Sequence, residues 1–408
     1  MDTISHNDRN ILRNLAKRKQ SLHHSDENQR NLKDWLLHNT FSCQRPMIHL
    51  EVSFRHELIP KRLQCEGQLA RQIEERLWEG IINREVICDD HPVSDHFWVE
   101  WNAKHIPFGL EVEYIYANSD SLGYKIDYPI RNLEDDYHMF GQSIYQLDKA
   151  ATTAFADVAA ATFGDILPVK TGMSAFKVCP TRFFVHAMGM ETLLYSMYDQ
   201  PDLFHDMMRR FAEDTIGYFR FLEDNGALNP TTSTEYLGQG SWCFTNELPA
   251  SGTVTSKDMW GFLDSQESVG ISPAMYDEFI FPYYKMIADQ YGLLSYGCCE
   301  SVHQFWPSLK RLENLRKVTV APWCDEEFMG QVLKGRKTIY HRKPSASYLG
   351  VGQNLDEPAL RKHIATTLKA AKGCTLEITQ RDVYTINNNE AKAKRYVEII
   401  REEIDKHW

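Results

Sequence analysis

The sequence predicts an α/β protein: a single (β/α)8 barrel of the TIM type with a helical N-terminal extension. Three observations predict it. The C-terminal half alternates strand-like and helix-like segments four times in succession, a pattern that builds a parallel sheet. No GxGxxG, GxxxxGKS or GxxxxGKT follows any of these strands, so the open nucleotide-binding sheets lose their usual support and closure into a barrel is favoured. The length of 408 residues, with 43% hydrophobic and 25% charged residues, suits one decorated barrel with a substantial core.

The elements follow in chain order. Residues 5 to 38 are polar, with Ile11, Leu12, Leu15, Leu32, Trp35 and Leu36 at helical spacing, and 1–40 is read as the extension. The barrel is assigned to 41–408. Its first strand is "MIHLEV", Met47 to Val52, followed by a helix around "QLARQIEERLWEGI". "FWVEWNA" and "LEVEYIYA" read as strands, and "IRNLEDDYHMF" as irregular. Helical "GMETLLYSMYD" and "PDLFHDMMRRFAEDTIGYFRFLEDNG" precede a strand-like "TSTEYLG". In "SPAMYDEFIFPYYKMIADQYG" Ser272 is an N-cap, Pro273 takes the first helical position and Gly292 stops the helix. The four repeating units then run from "LLSYG" through "KVTVAPW", "KTIYHRK" and "CTLEITQRD", ending in the helix "EAKAKRYVEIIREEIDKHW".

Composition excludes several classes. A net charge of −11, with no run of Lys and Arg among aromatics, argues against nucleic acid as a partner. The first twenty residues lack the apolar core of a signal peptide, and no stretch approaches the length of a membrane span, so a cytoplasmic protein is expected. Nine scattered cysteines in such a chain read as free thiols or metal ligands rather than a disulfide framework.

In a barrel the chemistry gathers where strands finish. Cys298, Cys299 and Glu300 follow "LLSYG"; Trp323, Cys324 and Asp325 follow "KVTVAP"; Arg342 and Lys343 end "KTIYH"; Arg381 and Asp382 follow "LEITQ". Continued alternation of the first strand would send Tyr296, Cys298 and Glu300 to one side. A thiolate and a carboxylate on one point form part of a Zn²⁺ shell, yet no CxxC or HExxH is present. Cys374, at the start of its strand, should lie at the opposite end of the barrel as a packed thiol.

These same segments carry a resemblance. "HAMGMETLLYSMYDQPDLFHDMM", "ISPAMYDEFIFPYYKMIADQYGLLSYGCCE", "KVTVAPWCD" and "HRKPSASYL" resemble the uroporphyrinogen decarboxylase superfamily, which includes cobalamin-linked methyltransferases, over roughly residues 180 to 400. The resemblance implies a (β/α)8 barrel and, frequently, a homodimer. The arginine-rich signature of true uroporphyrinogen decarboxylases is missing after "MIHLEVSFRHEL". In the methyltransferase branch a His-x-Cys zinc motif ends the strand occupied here by "SYGCC"; Cys298 falls on its cysteine and Tyr296 replaces its histidine.

The expectation is methyl transfer from a small O- or N-methylated substrate to a corrinoid on a partner protein. Zn²⁺ would be held by Cys298 and Glu300 with Cys299 or Asp382. Glu300, Lys343 and Asp382 are the expected catalytic residues, and Trp242, Trp323, Arg342 and Arg381 the substrate-binding ones. The alternative is a metal-free decarboxylase or lyase, in which Lys343, Arg342 and Arg381 stabilise carboxylates and Asp382 handles protons.

Overall fold

The computed structural model describes residues 4–43, 45–116 and 123–408. Two helices open the chain, α1 (His6–His23) and α2 (Asp26–Asn39), each N-capped by a serine, Ser5 and Ser25, whose side chain accepts from the backbone two or three residues on. They pack tightly on the rest of the molecule. Arg13 pairs with Asp165. Trp35 is fully buried, and the side chain of Asn39 donates to the Trp242 carbonyl at 3.0 Å.

The strands that build the wall are β1 (Met47–Leu50), β2 (Phe97–Glu100), β3 (Val169–Gly172) and β4 (Phe176–Val178). A short pair, β5 (Tyr236–Gly238) and β6 (Ser241–Trp242), comes next, and the wall resumes with β7 (Trp260–Leu263), β8 (Leu293–Tyr296), β9 (Leu315–Val320), β10 (Ile339–Arg342) and β11 (Leu376–Gln380). Seven of these form one parallel sheet in the order β1, β11, β10, β9, β8, β7, β4. β2 pairs in parallel with β3, which leads into β4 after three residues. Among the described residues no ladder joins β1 to β2, so the wall accords with a TIM-type fold whose seam there is not closed by backbone hydrogen bonds.

Period-two alternation sorts the side chains. Leu294, Tyr296, Val318, Val320, Tyr340 and Ile378 join the main apolar core under the surrounding helices. The opposite face is polar. Lys317 Nζ lies 2.9 Å from Glu377 Oε2, which is also 3.1 Å from His38 Nε2, and His341 Nε2 contacts Thr379 Oγ1 at 2.9 Å. Registers that set His49 beside Thr379 and Thr319 beside His341 keep this inner face continuous from strand to strand.

Several segments differ from the sequence reading. "TSTEYLG" supplies no wall strand; it forms the antiparallel hairpin β5–β6, which lies against the inner face, with Thr379 Oγ1 donating to the Gly240 carbonyl and Lys317 Nζ donating to Ser241 Oγ at 2.6 Å. A wall strand is instead supplied by "WGFL", β7. "FWVEWNA" divides into β2 and a strand Asn102–Ile106 paired with Ile144–Asp148. "LEVEYIYA" gives the strand Glu113–Tyr116; its last residue, 117, lies outside the described residues. Ser272 caps its helix as expected, accepting from the Met275 backbone N–H at 3.2 Å.

Candidate functional site

The site forms at the ends of β8, β10 and β11. β8 stops at Tyr296, and Gly297 takes φ +100°; a Cβ there would stand 3.1 Å from both Thr319 and Val302, so the turn needs glycine. This turn breaks the alternation expected for Tyr296, Cys298 and Glu300. Tyr296 belongs to the helix side, where its hydroxyl meets Ser265 Oγ at 2.5 Å and the Tyr276 hydroxyl at 2.6 Å. It therefore does not occupy a ligand position beside Cys298.

Cys298 and Cys299 come together, their sulfurs 3.6 Å apart. Cys299 Sγ is 3.9 Å from Asp382 Oδ2, and Arg381 Nη1 is 3.5 Å from Cys298 Sγ. The hydrogen bond between the thiols lowers the Cys299 pKa and, with burial, raises that of Cys298, so Cys299 is the thiol of the pair that ionises more readily. Lys343 Nζ reaches over the same turn, donating to the carbonyls of Gly297 at 3.4 Å and Cys298 at 3.3 Å and to Gln239 Oε1 at 2.6 Å. Arg381 also binds Gln239 Oε1, and its Nε donates to Glu51 Oε2 at 2.6 Å.

The two interior lysines contrast. Lys317 has Glu377 as a buried partner, whereas among the described residues the hydrogen-bond acceptors of Lys343 are neutral and no carboxylate lies within ion-pair distance of it. Burial consequently lowers its pKa. A cation held this way is stabilised by any anion brought to it.

Four expected site residues are placed differently. Glu300 is fully buried, but its oxygens accept the backbone N–H groups of Ser265 at 3.0 Å and Cys298 at 2.7 Å, so the carboxylate braces the turn. Arg342 follows strand alternation to the outside while Lys343 faces in. Its guanidinium binds the carbonyls of Val320 and Ala321 and pairs with Glu326 at 2.6 Å, which removes it from substrate binding. Trp323 is 72% exposed and walls no cavity described here. Trp242 lies deeper, packed with Trp35, Met47 and Phe244, and lines a cavity on the β1 side.

The zinc shell expected from Cys298, Cys299 and Glu300 is therefore not assembled. Both Glu300 oxygens are occupied, two cations adjoin the thiols, and among the described residues no group of three or more His, Cys, Asp or Glu is arranged to hold a metal ion. Cys374 sits away from the thiol pair, its sulfur against the Gly330 carbonyl at 3.4 Å before β11 begins.

Asp264 and Gln239 escaped the sequence reading. Asp264 directly follows β7, a strand too short and too glycine-broken to stand out, yet a carboxylate after "WGFL" was the available signal. It is 3% exposed, its Oδ1 has no partner, and burial followed by repulsion from Glu300 and Cys298 pushes its pKa up to about 8. At neutral pH it is a carboxylic acid able to give a proton. Gln239 carried a signal too: in "GQG" the residues have φ of +116°, +57° and +75°, a conformation that glutamine adopts at a cost.

No family model matches the sequence, and no curated protein is significantly similar to it. Among solved structures, a methyltransferase from Methanosarcina mazei superposes with a TM-score of 0.51 at 10% identity, covering 91% of this chain and 98% of that one. At such identity the likeness shows a common fold, that of a methyltransferase-like α/β protein. No helix among the described residues is long and apolar enough to cross a membrane.

Proposed function

We propose that this chain is a methyltransferase that takes a methyl group from a small O- or N-methylated substrate bearing an anionic group and passes it to the cobalt of a corrinoid carried by a partner protein. The observation that carries the reading is Lys343, a buried lysine whose hydrogen-bond partners among the described residues are neutral, set beside Arg381 at the strand ends. These two cations would hold the substrate's carboxylate and so orient the methylated heteroatom. Asp264, protonated at neutral pH, would supply the proton that the departing oxygen or nitrogen needs, taking over the activation that the sequence reading gave to zinc. The common fold with a protein named a methyltransferase supports the reaction class.

The test is a panel of N-methylated amino acids and methoxylated benzoates offered with free cob(I)alamin, with methylcobalamin formation followed by absorbance. Transfer from an anionic member, lost in Lys343→Met and Asp264→Asn, is the expected result. Undiminished binding of the same compounds by Lys343→Met would end the role given to that lysine.

One observation favours the second reading, a carboxy-lyase. A protonated Asp264 beside Cys298 and Glu300 could also protonate a carbanion left by loss of carbon dioxide. Release of carbon dioxide without methylcobalamin formation would select it.

A further inference from the structure

A second group of buried polar residues lies outside the thiol site, at the seam between β1 and β2. Its centre is His49 on β1. Asp89 Oδ2 stands 2.9 Å from His49 Nδ1 and also accepts the Leu50 N–H at 2.8 Å and the Asn83 amide at 2.9 Å, while Oδ1 accepts the His91 N–H at 3.0 Å. Against the cost of burial, His49 and these donors keep the Asp89 pKa low, so this is an ionised, immobilised carboxylate. A carboxylate in that position fixes the proton of His49 on Nδ1 and leaves Nε2 as the basic nitrogen. Among the described residues Nε2 has no hydrogen-bond partner.

His49 lines a cavity of about 290 Å³ together with His91, Tyr236, Trp242 and Glu51. The cavity reaches the surface beside Arg55 and Glu79, whose side chains are 61% and 44% exposed. Its walls are rings. Trp242 stands edge-on to His91 at 4.9 Å and to His49 and Tyr236 at 5.7 Å each. Among the described residues the indole N–H of Trp242 and Nδ1 of His91 are buried without hydrogen-bond partners, so these two rings meet the cavity through their carbon faces and edges.

We propose that this cavity is an acid–base site for a hydroxylated aromatic ring, with His49 Nε2 as the atom that exchanges a proton with the ring's hydroxyl. The rings of Trp242, His91 and Tyr236 form a slot for a flat apolar body. The ligand's O–H bond breaks as the Nε2–H bond forms. The electron pair stays on the ligand oxygen, and the imidazolium is balanced by Asp89. In the reverse direction the same imidazolium returns the proton. The arrangement is that of a base held by a carboxylate orienter, and it uses neither Lys343 nor Asp264, the residues that carry the methyl-transfer reading.

The probe is para-nitrophenol, whose phenolate absorbs where the phenol does not. At neutral pH, where much of the free compound is still protonated, titration into the full chain should produce a saturable rise in phenolate absorbance above that of the free compound. His49→Gln should lose this rise, Asp89→Asn should reduce it, and Trp242→Phe should weaken binding of the ring. No rise with the unsubstituted protein, or an equal rise with folded His49→Gln, overturns the proposal. Should the variants fail to fold, isotope-labelled histidine in the unsubstituted protein gives the answer by NMR. The His49 ring nitrogen without a proton should gain one when the probe is added, and an unchanged signal overturns the proposal equally.

Discussion

Replacing Asp264 by asparagine should make the protein more stable at neutral pH and leave it almost unaffected in acid. The carboxyl is 3% exposed, and burial with repulsion from Glu300 and Cys298 raises its pKa from 3.8 to about 8. A raised folded-state pKa means that the native protein binds the proton more tightly than the unfolded chain does. Its stabilising contribution is therefore complete below the unfolded pKa and is lost as pH rises toward the folded one. Each pH unit in that window costs about 1.4 kcal/mol, so the approximately three units from pH 4 to pH 7 amount to roughly 4 kcal/mol. Asparagine keeps the shape and an oxygen for Cys179 but has no proton to lose, so its variant escapes this decline. Removing Asp264 also eases ionisation of Glu300, which acts in the same direction. Urea unfolding of both proteins across this pH range, compared as a difference so that other groups cancel, should show the variant gaining steadily and levelling off above about pH 8. A difference that does not change with pH would refute the environment described for this carboxyl. Turnover of the unsubstituted enzyme should fall as pH rises through about 8, since the acid form is the one that gives the proton.

Arg342→Met should cost about 3–5 kcal/mol, measured by chemical denaturation, because it strands Glu326 and two carbonyls, while ligand affinity of the folded protein stays unchanged. Lys343→Met should lower affinity for anionic ligands in calorimetry and also lower the thermal midpoint, since Gln239 and the carbonyls of Gly297 and Cys298 lose a donor, a loss of about 1–3 kcal/mol. Iodoacetamide followed by mass spectrometry should find Cys299 modified ahead of Cys298 and Cys324, as the partly exposed and more readily ionised thiol of the group, and a chelator should not alter its rate.

The rim was legible because the four C-terminal units place polar residues directly after strands, and Cys298, Cys299, Lys343, Arg381 and Asp382 do meet there. Within those four units the sequence reading differs from the structure at single residues. Arg342 and Lys343 are neighbours in the chain, yet alternation sends one among the helices and the other inward, and the phase of a strand of four buried residues cannot be taken from its hydrophobicity. Glu300 was assigned by extending β8 through Gly297, where a left-handed backbone ends the strand. Trp323 was placed by its position in the chain, and large side chains after a strand can point to solvent. Asp264 and His49 were missed for different reasons. The strand before Asp264 went unrecognised, and the partner that gives His49 its chemistry, Asp89, is forty residues away in the sequence.

The hairpin β5–β6 explains how two cations can stand side by side in the interior. Gln239 lies at its tip, and its amide oxygen accepts from Lys343 on one strand end and from Arg381 on the next. Holding a glutamine in the left-handed region costs on the order of 1 kcal/mol, and charge-assisted hydrogen bonds of this kind offset it. A carboxylate in that place would bind both cations more strongly and also neutralise them. The neutral amide positions them without adding a negative charge of its own. Arg381 draws part of its compensation from Glu51, which leaves Lys343 as the group with most to gain from an incoming anion. Under the proposed function that asymmetry would give a bound carboxylate a direction, with its nearer oxygen at Lys343 beside the Cys298 carbonyl.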